Sequence, residues 1–300
     1  MGRALASQYP EARDVFERAD DVLQEPLSRL CFEGPAEQLR LTRNTQPALL
    51  TVATAAWQCV ARRAPGPPAG AAGHSLGEYA ALVAAGVLDF DDALRAARLR
   101  GEAMQDAVPV GEGSMAAVIG LSAQSVDELC AAVRRSGEVL VAANFNAPDQ
   151  TVVAGHRDAV ERLVEEAPAQ GAKRAVLLEV SAPFHSPLMA PAGERLAAFL
   201  GQIPFADGQL PVIANVDARP VTDGEQARAN LIRQVVAPVR WVDTMRTLAD
   251  ELRVGWALEL GPGRVLAGLA RRSGRKLRVL AGGDPDEIEA GLARLDEQSR

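Results

Sequence analysis

Hydrophobic positions recur along this chain with two different periods. Over residues 1–107 the period is helical. Residues 11–23 predict one helix, and "TQPALLTVATAAWQCVARR" (45–63) predicts a second, with Ala48, Val52, Ala55, Ala56 and Cys59 on or near one face. The loop "APGPPAG" and a short strand around 69–74 then lead into "GHSLGEYAALVAAG". There Leu76, Tyr79, Ala80, Val83 and Ala84 fall at helical spacing, with Gly86 as the stop. Residues 89–107 predict a third helix, striped by Leu94, Ala97, Gly101 and Met104.

From 114 to 181 the apolar runs shorten and become β-like. "SMAAVIGL", "EVLVAANFN", "DQTVVAG" and "KRAVLLEVS" predict strands, and "SAQSVDELCAAVRRSG" and "HRDAVERLVEEAPAQG" predict helices. The order β-α-β-β-α-β is the ferredoxin-like pattern, which predicts a small subdomain (114–181) inserted into a larger one (1–113 and 182–300). The larger part resumes with "LPVIANV", "WALELG" and "LRVLAGG", apolar strands separated by helical segments, as in a parallel sheet. A last helix shows a stripe of Ile288, Leu292 and Leu295. The expected class is α/β: an α/β-hydrolase-like core plus the ferredoxin-like insert.

Composition narrows the function. The 300 residues have room for a core and an insert, and 48% of them are hydrophobic. No apolar run approaches the roughly 20 residues that span a bilayer, and the N-terminus lacks a signal-peptide layout. A cytoplasmic protein with no membrane partner is expected. The net charge of −7 argues against nucleic acid as the partner of the whole chain. Cys31, Cys59 and Cys130 are widely spaced and odd in number, which predicts buried free thiols. No zinc-type, Walker or G-x-G-x-x-G pattern occurs, so no metal or bound cofactor is expected.

The candidate chemistry begins at Ser75. Gly73-His74-Ser75-Leu76-Gly77 is a G-x-S-x-G pattern, which in a hydrolase-like core puts a nucleophilic serine on a tight strand-to-helix turn. Both glycines are expected to serve a strained, closely packed backbone. A serine nucleophile needs a base, and the chain has three histidines. His74 adjoins the serine and points to the other face, so a packing or hydrogen-bonding role is expected. His156 opens a helix of the insert, as a solvated turn residue. His185, in "SAPFHSPLM", is the candidate base, stiffened by Pro183 and Pro187. No carboxylate stands out to orient it, and a backbone carbonyl suffices for that task. On the helix 89–107, Arg100 and Arg98 both flank the apolar stripe. Spacing alone favours an exposed guanidinium with its stem on the core, and a substrate carboxylate is the partner a buried one would need.

Taken together, "GHSLGEYAALVAAG", "RGEAMQ", "NFNAPDQTVVAG", "SAPFHSPLM" and "ELGPGRVLAGL" closely resemble the malonyl-CoA:acyl carrier protein transacylases of bacterial fatty-acid synthesis, and the related acyltransferase domains of polyketide synthases. The likeness runs from residue 1 to about 280. It implies that Ser75 takes the malonyl group of malonyl-CoA as an ester, with His185 as general base, and passes it to the phosphopantetheine thiol of acyl carrier protein, for fatty-acid or polyketide synthesis. It implies that Arg100 pairs with the malonyl carboxylate, that the main-chain carbonyl of Gln234 orients His185, and that Gln46 lines the site. Leu76 and Phe184 match choices that favour malonyl over the branched methylmalonyl group, since a phenyl ring leaves little space for an α-methyl. The substrates are malonyl-CoA and the carrier protein; a monomer is expected. The carrier is acidic as a class, which makes "ARRSGRKLR" (270–278) and Arg62–Arg63 candidate docking sites.

The family's opening strand and "PGQGSQ" turn have no counterpart before Met1. Their absence implies a reading frame that opens further upstream, or a shortened chain, with the upstream start preferred. The N–H of Leu76 is then the remaining oxyanion donor, and losing the other predicts a deficit of about 3–4 kcal/mol. Two further readings compete: a serine thioesterase or hydrolase, which shares Ser75 and His185 but has no use for a buried arginine, and a catalytically impaired, truncated carrier-binding protein.

Overall fold

The structure, a computed structural model, describes residues 1–180 and 182–298. Ser181, with which the expected insert ends, and Ser299 and Arg300, with which the expected core ends, lie outside the described residues. The chain is a mixed α/β fold. Its strands are β1 (Ala71–Ala72), β2 (Gly113–Ile119), β3 (Leu140–Ala147), β4 (Gln150–His156), β5 (Arg174–Leu177), β6 (Val212–Ile213), β7 (Pro220–Val221), β8 (Trp256–Glu259) and β9 (Arg278–Ala281).

Helices dominate the first third, as the periodicity predicts. Arg3–Gln8, Pro10–Leu23, Leu27–Glu33, Ala36–Arg40 and Thr42–Ala61 precede β1. The helix Phe90–Asp106 starts where Asp89 caps it, the side chain accepting the N–H of Asp91. Its stripe of Leu94, Ala97, Gly101 and Met104 is buried against Thr42–Ala61. Gly101 is at the tightest point of that contact. A Cβ there would lie 2.6 Å from the Thr42 carbonyl oxygen and 2.7 Å from the Arg43 Cα. Only a residue without a side chain permits this approach, and the neighbour of Gly101 is Arg100.

The expected single parallel sheet is instead two small sheets. In one, β1 pairs with β6 in parallel, Ala71 opposite Val212 and Ala72 opposite Ile213, and β7 adds antiparallel to β6. In the other, β8 and β9 pair in parallel. The apolar runs 210–216 and 256–261 yield strands of only two and four residues. Beyond β6, Asn215 lies in the loop that reaches the site. A parallel pair sends both chains out at the same edge, so the segments after β1 and after β6 emerge side by side.

Strand, helix (Ala123–Val133), strand, strand, helix (Arg157–Glu166) and strand follow in order from β2 to β5, and the four strands pair antiparallel in the order β3-β4-β2-β5. Period-two alternation divides the sheet's side chains. Ala116, Val118 and Val153 pack with the two helices, through Val126, Leu129, Val160 and Leu163. Met115, Ala117, Val152 and Ala154 form the opposite face, against Phe184. The edge strand β3 is tied to the rest of the chain: Phe145 donates to the Val239 carbonyl and Val239 donates to the Ala143 carbonyl, both at 2.9 Å. Cys31, Cys59 and Cys130 are free and buried, and burial pushes their thiols up to about 11, 11 and 12. Among the described residues, no helix is long and apolar enough to cross a membrane.

Gly101→Ala tests the helix contact. Overpacking of this kind typically costs about 1–3 kcal/mol. A melting temperature lower by several degrees is expected by calorimetry, and an unchanged one would contradict the tight approach.

Candidate active site

Ser75 sits three residues beyond β1 with φ of 53°, in the left-handed region that side chains rarely adopt. Three features hold it there. Its N–H donates to Asn215 Oδ1 (2.7 Å), from the loop after β6. Its carbonyl accepts from Gln234 Nε2 (3.0 Å). Gly73 lies so close to the next turn that a Cβ would come within 1.9 Å of the Gly77 carbonyl. Gly73 is therefore obligatory for the turn. Gly77 faces open space, so the strain expected of both glycines rests on the serine itself. The helix Gly77–Ala84 follows, capped by Leu76, and no acceptor among the described residues takes the Leu76 N–H.

His185 reaches the serine from 110 residues away, with Nε2 2.7 Å from Ser75 Oγ. Its φ is 58°, so both partners of this bond occupy strained backbone, an arrangement that clusters at functional sites. Its Nδ1 donates to the Gln234 carbonyl at 2.9 Å, which leaves Nε2 as the acceptor for the serine hydroxyl. Burial first, and then the Arg100 charge, push the imidazole down to about 3. It is neutral in the free protein and able to take a proton.

Arg100 is 3% exposed, so the exposed guanidinium favoured by spacing alone is corrected. Its Nη1 donates to Gln46 Oε1 (2.6 Å), and its Nη2 donates to Ser75 Oγ and to Gln234 Oε1 (3.0 Å each). Its Nε has no partner, and the Tyr79 ring lies 5.7 Å from the guanidinium carbon. Among the described residues no carboxylate forms an ion pair with it. Arg98 lies elsewhere, spanning Asn44 Oδ1 (2.8 Å) and Glu25 Oε2 (2.6 Å). A buried cation of fixed geometry, with no carboxylate bonded to it and 3.0 Å from a hydroxyl, is a ready receptor for an anionic acyl group.

The other predicted residues fall as follows. Gln46 is buried on Thr42–Ala61, with its Nε2 3.8 Å from Met104 Sδ. Phe184 is partly buried, between the main core and the second face of the four-stranded sheet. His74 bonds Asn146 Oδ1 through Nε2 (2.8 Å) and packs on Trp241, away from the serine hydroxyl. His156 is not the solvated residue expected: its Nδ1 accepts the Val139 N–H at 2.8 Å. Of the basic stretch 270–278, Arg272 is paired with Asp149 (2.7 Å), Arg275 with Asp250 (2.5 Å), and Arg278 lies over Trp256 (5.0 Å). Arg63 is paired with Glu289 (2.7 Å).

Two residues of this network escaped the sequence reading. Asn215 links the Ser75 N–H to the Gly73 carbonyl, to which its Nδ2 donates at 2.8 Å. Glu78 is 2% exposed, and its Oε2 accepts from the Asn215 N–H (3.0 Å) and Gln234 Nε2 (2.7 Å). Its signal was available: a charged residue inside the apolar helix that follows the serine.

With this geometry in hand, comparisons with known proteins become informative. The sequence profile of the family described as "Acyl transferase domain" matches residues 1–279. The malonyl CoA-acyl carrier protein transacylase of Bacillus subtilis is 44% identical over 299 residues, which is 100% of this chain and 94% of that protein. The solved transacylase of the same name from Coxiella burnetii superposes with a TM-score of 0.95 at 41% identity, covering 98% of this chain and 93% of that one. A type II polyketide-synthase acyl-carrier protein in complex with its malonyl-transacylase gives a TM-score of 0.94 at 44% identity, covering 98% and 94%.

The electrostatics of the pocket are testable directly. In a nitrogen NMR titration the His185 ring is expected to stay neutral well below the ordinary imidazole value of about 6.5. Arg100→Ala removes a like charge, so the pKa should then rise toward that value. A wild-type ring that charges near 6.5 would contradict the dry, cationic pocket.

Proposed function

The chain belongs to the acyl transferase domain family, and we infer on that premise that it carries a malonyl group from malonyl-CoA to the phosphopantetheine thiol of acyl carrier protein. The observation that carries the reading is one oxygen with two partners: Ser75 Oγ, 2.7 Å from His185 Nε2 and 3.0 Å from Arg100 Nη2. The first contact makes a nucleophile. The second selects an acyl group that ends in a carboxylate.

The reaction runs as two transfers through one ester. The malonyl carboxylate takes up the Arg100 fork, replacing the Gln46 contact. Ser75 Oγ attacks the thioester carbon while His185 Nε2 accepts the hydroxyl proton. The tetrahedral oxyanion is met by the unpaired N–H of Leu76. The C–S bond breaks, His185 returns the proton to the coenzyme A sulfur, and a malonyl-serine ester remains. The carrier thiol then attacks that ester, giving its proton to His185, which passes it to Ser75 Oγ as the ester C–O bond breaks. The Gln234 carbonyl holds Nδ1–H throughout and so keeps the ring in the tautomer both steps need. Phe184, next to His185, disfavours a branched acyl group by occupying the space of its α-methyl. No bound cofactor enters the scheme.

The unit 114–180 reads as a ferredoxin-like insert and the remainder as an α/β-hydrolase-like core; the site falls between them, with His185 on the segment that returns from the insert. The acidic carrier is placed at the basic stretch 270–278, where Arg271 and Lys276 flank the paired Arg272 and Arg275. A thioesterase remains the alternative within the same Ser75–His185 chemistry, but a buried cation beside the nucleophile gives an uncharged acyl group nothing. The chain spans 94% of the Bacillus subtilis protein and brings Ser75, His185 and Arg100 together, which favours an acyltransferase over a carrier-binding remnant.

Incubation with malonyl-CoA alone is expected to leave a malonyl adduct on Ser75, seen by intact-mass and peptide mass spectrometry. Ser75→Ala should abolish it, and holo acyl carrier protein should discharge it. Rapid loss of the adduct to water at the same rate with and without carrier would favour the hydrolase.

A further inference from the structure

The helix that begins beside the nucleophile carries a carboxylate the transfer scheme does not use. Glu78 is buried on the first turn of Gly77–Ala84, and one of its oxygens accepts two bonds, from the Asn215 N–H and from Gln234 Nε2. We propose that Glu78 is a positioning residue for the carboxylate-binding arginine: it fixes which way the Gln234 amide faces, and the amide in turn aims the Arg100 guanidinium. The inference rests on the reading that Arg100 takes the malonyl carboxylate.

The argument is one of donors and acceptors. An amide has nearly the same shape with its oxygen and nitrogen exchanged, so only its neighbours decide the orientation. Around Gln234 Nε2 lie three oxygens: Glu78 Oε2 at 2.7 Å, the Ser75 carbonyl at 3.0 Å and Asn215 Oδ1 at 3.5 Å. Gln234 Oε1 is thereby turned to Arg100 Nη2, 3.0 Å away. A flipped amide would set an NH₂ against the guanidinium and an oxygen against a carboxylate. Of the three oxygens, Glu78 makes the shortest bond and is the only one that can carry a full charge. Asn215 is held by the same carboxylate and itself holds the Ser75 N–H, so the brace extends to the strained serine.

Burial lifts the Glu78 carboxyl to about 7. Protonation on the other oxygen leaves Oε2 free to accept, so the brace works in either form. Glutamine can present an amide oxygen at the same point and accept the same two bonds. An apolar side chain of like volume cannot.

The test compares kcat/KM for malonyl-CoA and for acetyl-CoA, with holo acyl carrier protein, in folded variants matched by circular dichroism. Acetyl lacks the carboxylate, so the ratio isolates the arginine contact. Glu78→Leu is expected to reduce the malonyl preference by roughly tenfold or more, the scale of one charge-assisted hydrogen bond. Glu78→Gln should keep most of the preference. Should the leucine variant not fold, Glu78→Asp withdraws the acceptor by one methylene while keeping the charge, and a reduced ratio is again expected. Equal slowing of both thioesters, or an unchanged ratio in a folded Glu78→Leu or Glu78→Asp protein, would overturn the proposal. Arg100→Ala separates the two readings: if it leaves the ratio unchanged, the carboxylate role of Arg100 fails instead.

Discussion

Everything in this site depends on a guanidinium kept dry without a direct ion pair. Arg100 is buried beside Ser75 and meets only neutral oxygens. Burying a charge is expensive unless it is paired, so the fold must supply dipoles that hold the cation and leave its attraction unspent. Gln46 and Gln234 do this from two different helices. Burial first, and then the same cation, depress the neighbouring imidazole and keep His185 neutral. Burial and this one charge together thus set the protonation state of His185.

The scaffold brings these groups together through a few backbone decisions. Parallel pairing of β1 with β6 sends two loops out side by side, which is why Asn215 can brace Ser75. The close approach at Gly101 presses the arginine helix onto the helix that carries Gln46. The four-stranded sheet contributes by containment: one of its faces packs against Phe184, immediately before His185. Ser75 and His185 then take up left-handed backbone, a strain that the surrounding hydrogen bonds sustain.

Much of this was legible in the sequence, for identifiable reasons. Helical stripes such as Leu94, Ala97, Gly101 and Met104 are local signals and locate their helix to within a residue or so at either end. The β-α-β-β-α-β order from β2 to β5 was readable because its strands are short apolar runs of four to eight residues set between turns and helical stripes. The short strands β1 and β6 were legible only as part of longer apolar runs, and β7 was not, since two residues of extended chain leave no period to detect. At the site, Ser75 announced itself through its glycines, and His185 through elimination among three histidines. Arg100 could not be told from Arg98 by spacing, because both flank the stripe, and only the family resemblance separated them. Glu78 and Asn215 act across gaps of more than one hundred residues; Glu78 left a mark as a charge inside an apolar helix, but which groups either residue bonds could not be read from the pattern.

A crystal structure of the protein acylated with malonyl-CoA tests the central claim most directly. The malonyl group is predicted to be esterified to Ser75 Oγ, with its carboxylate on both terminal nitrogens of Arg100 and the Gln46 contact displaced. A carboxylate turned toward solvent, with the guanidinium still on Gln46, would contradict it.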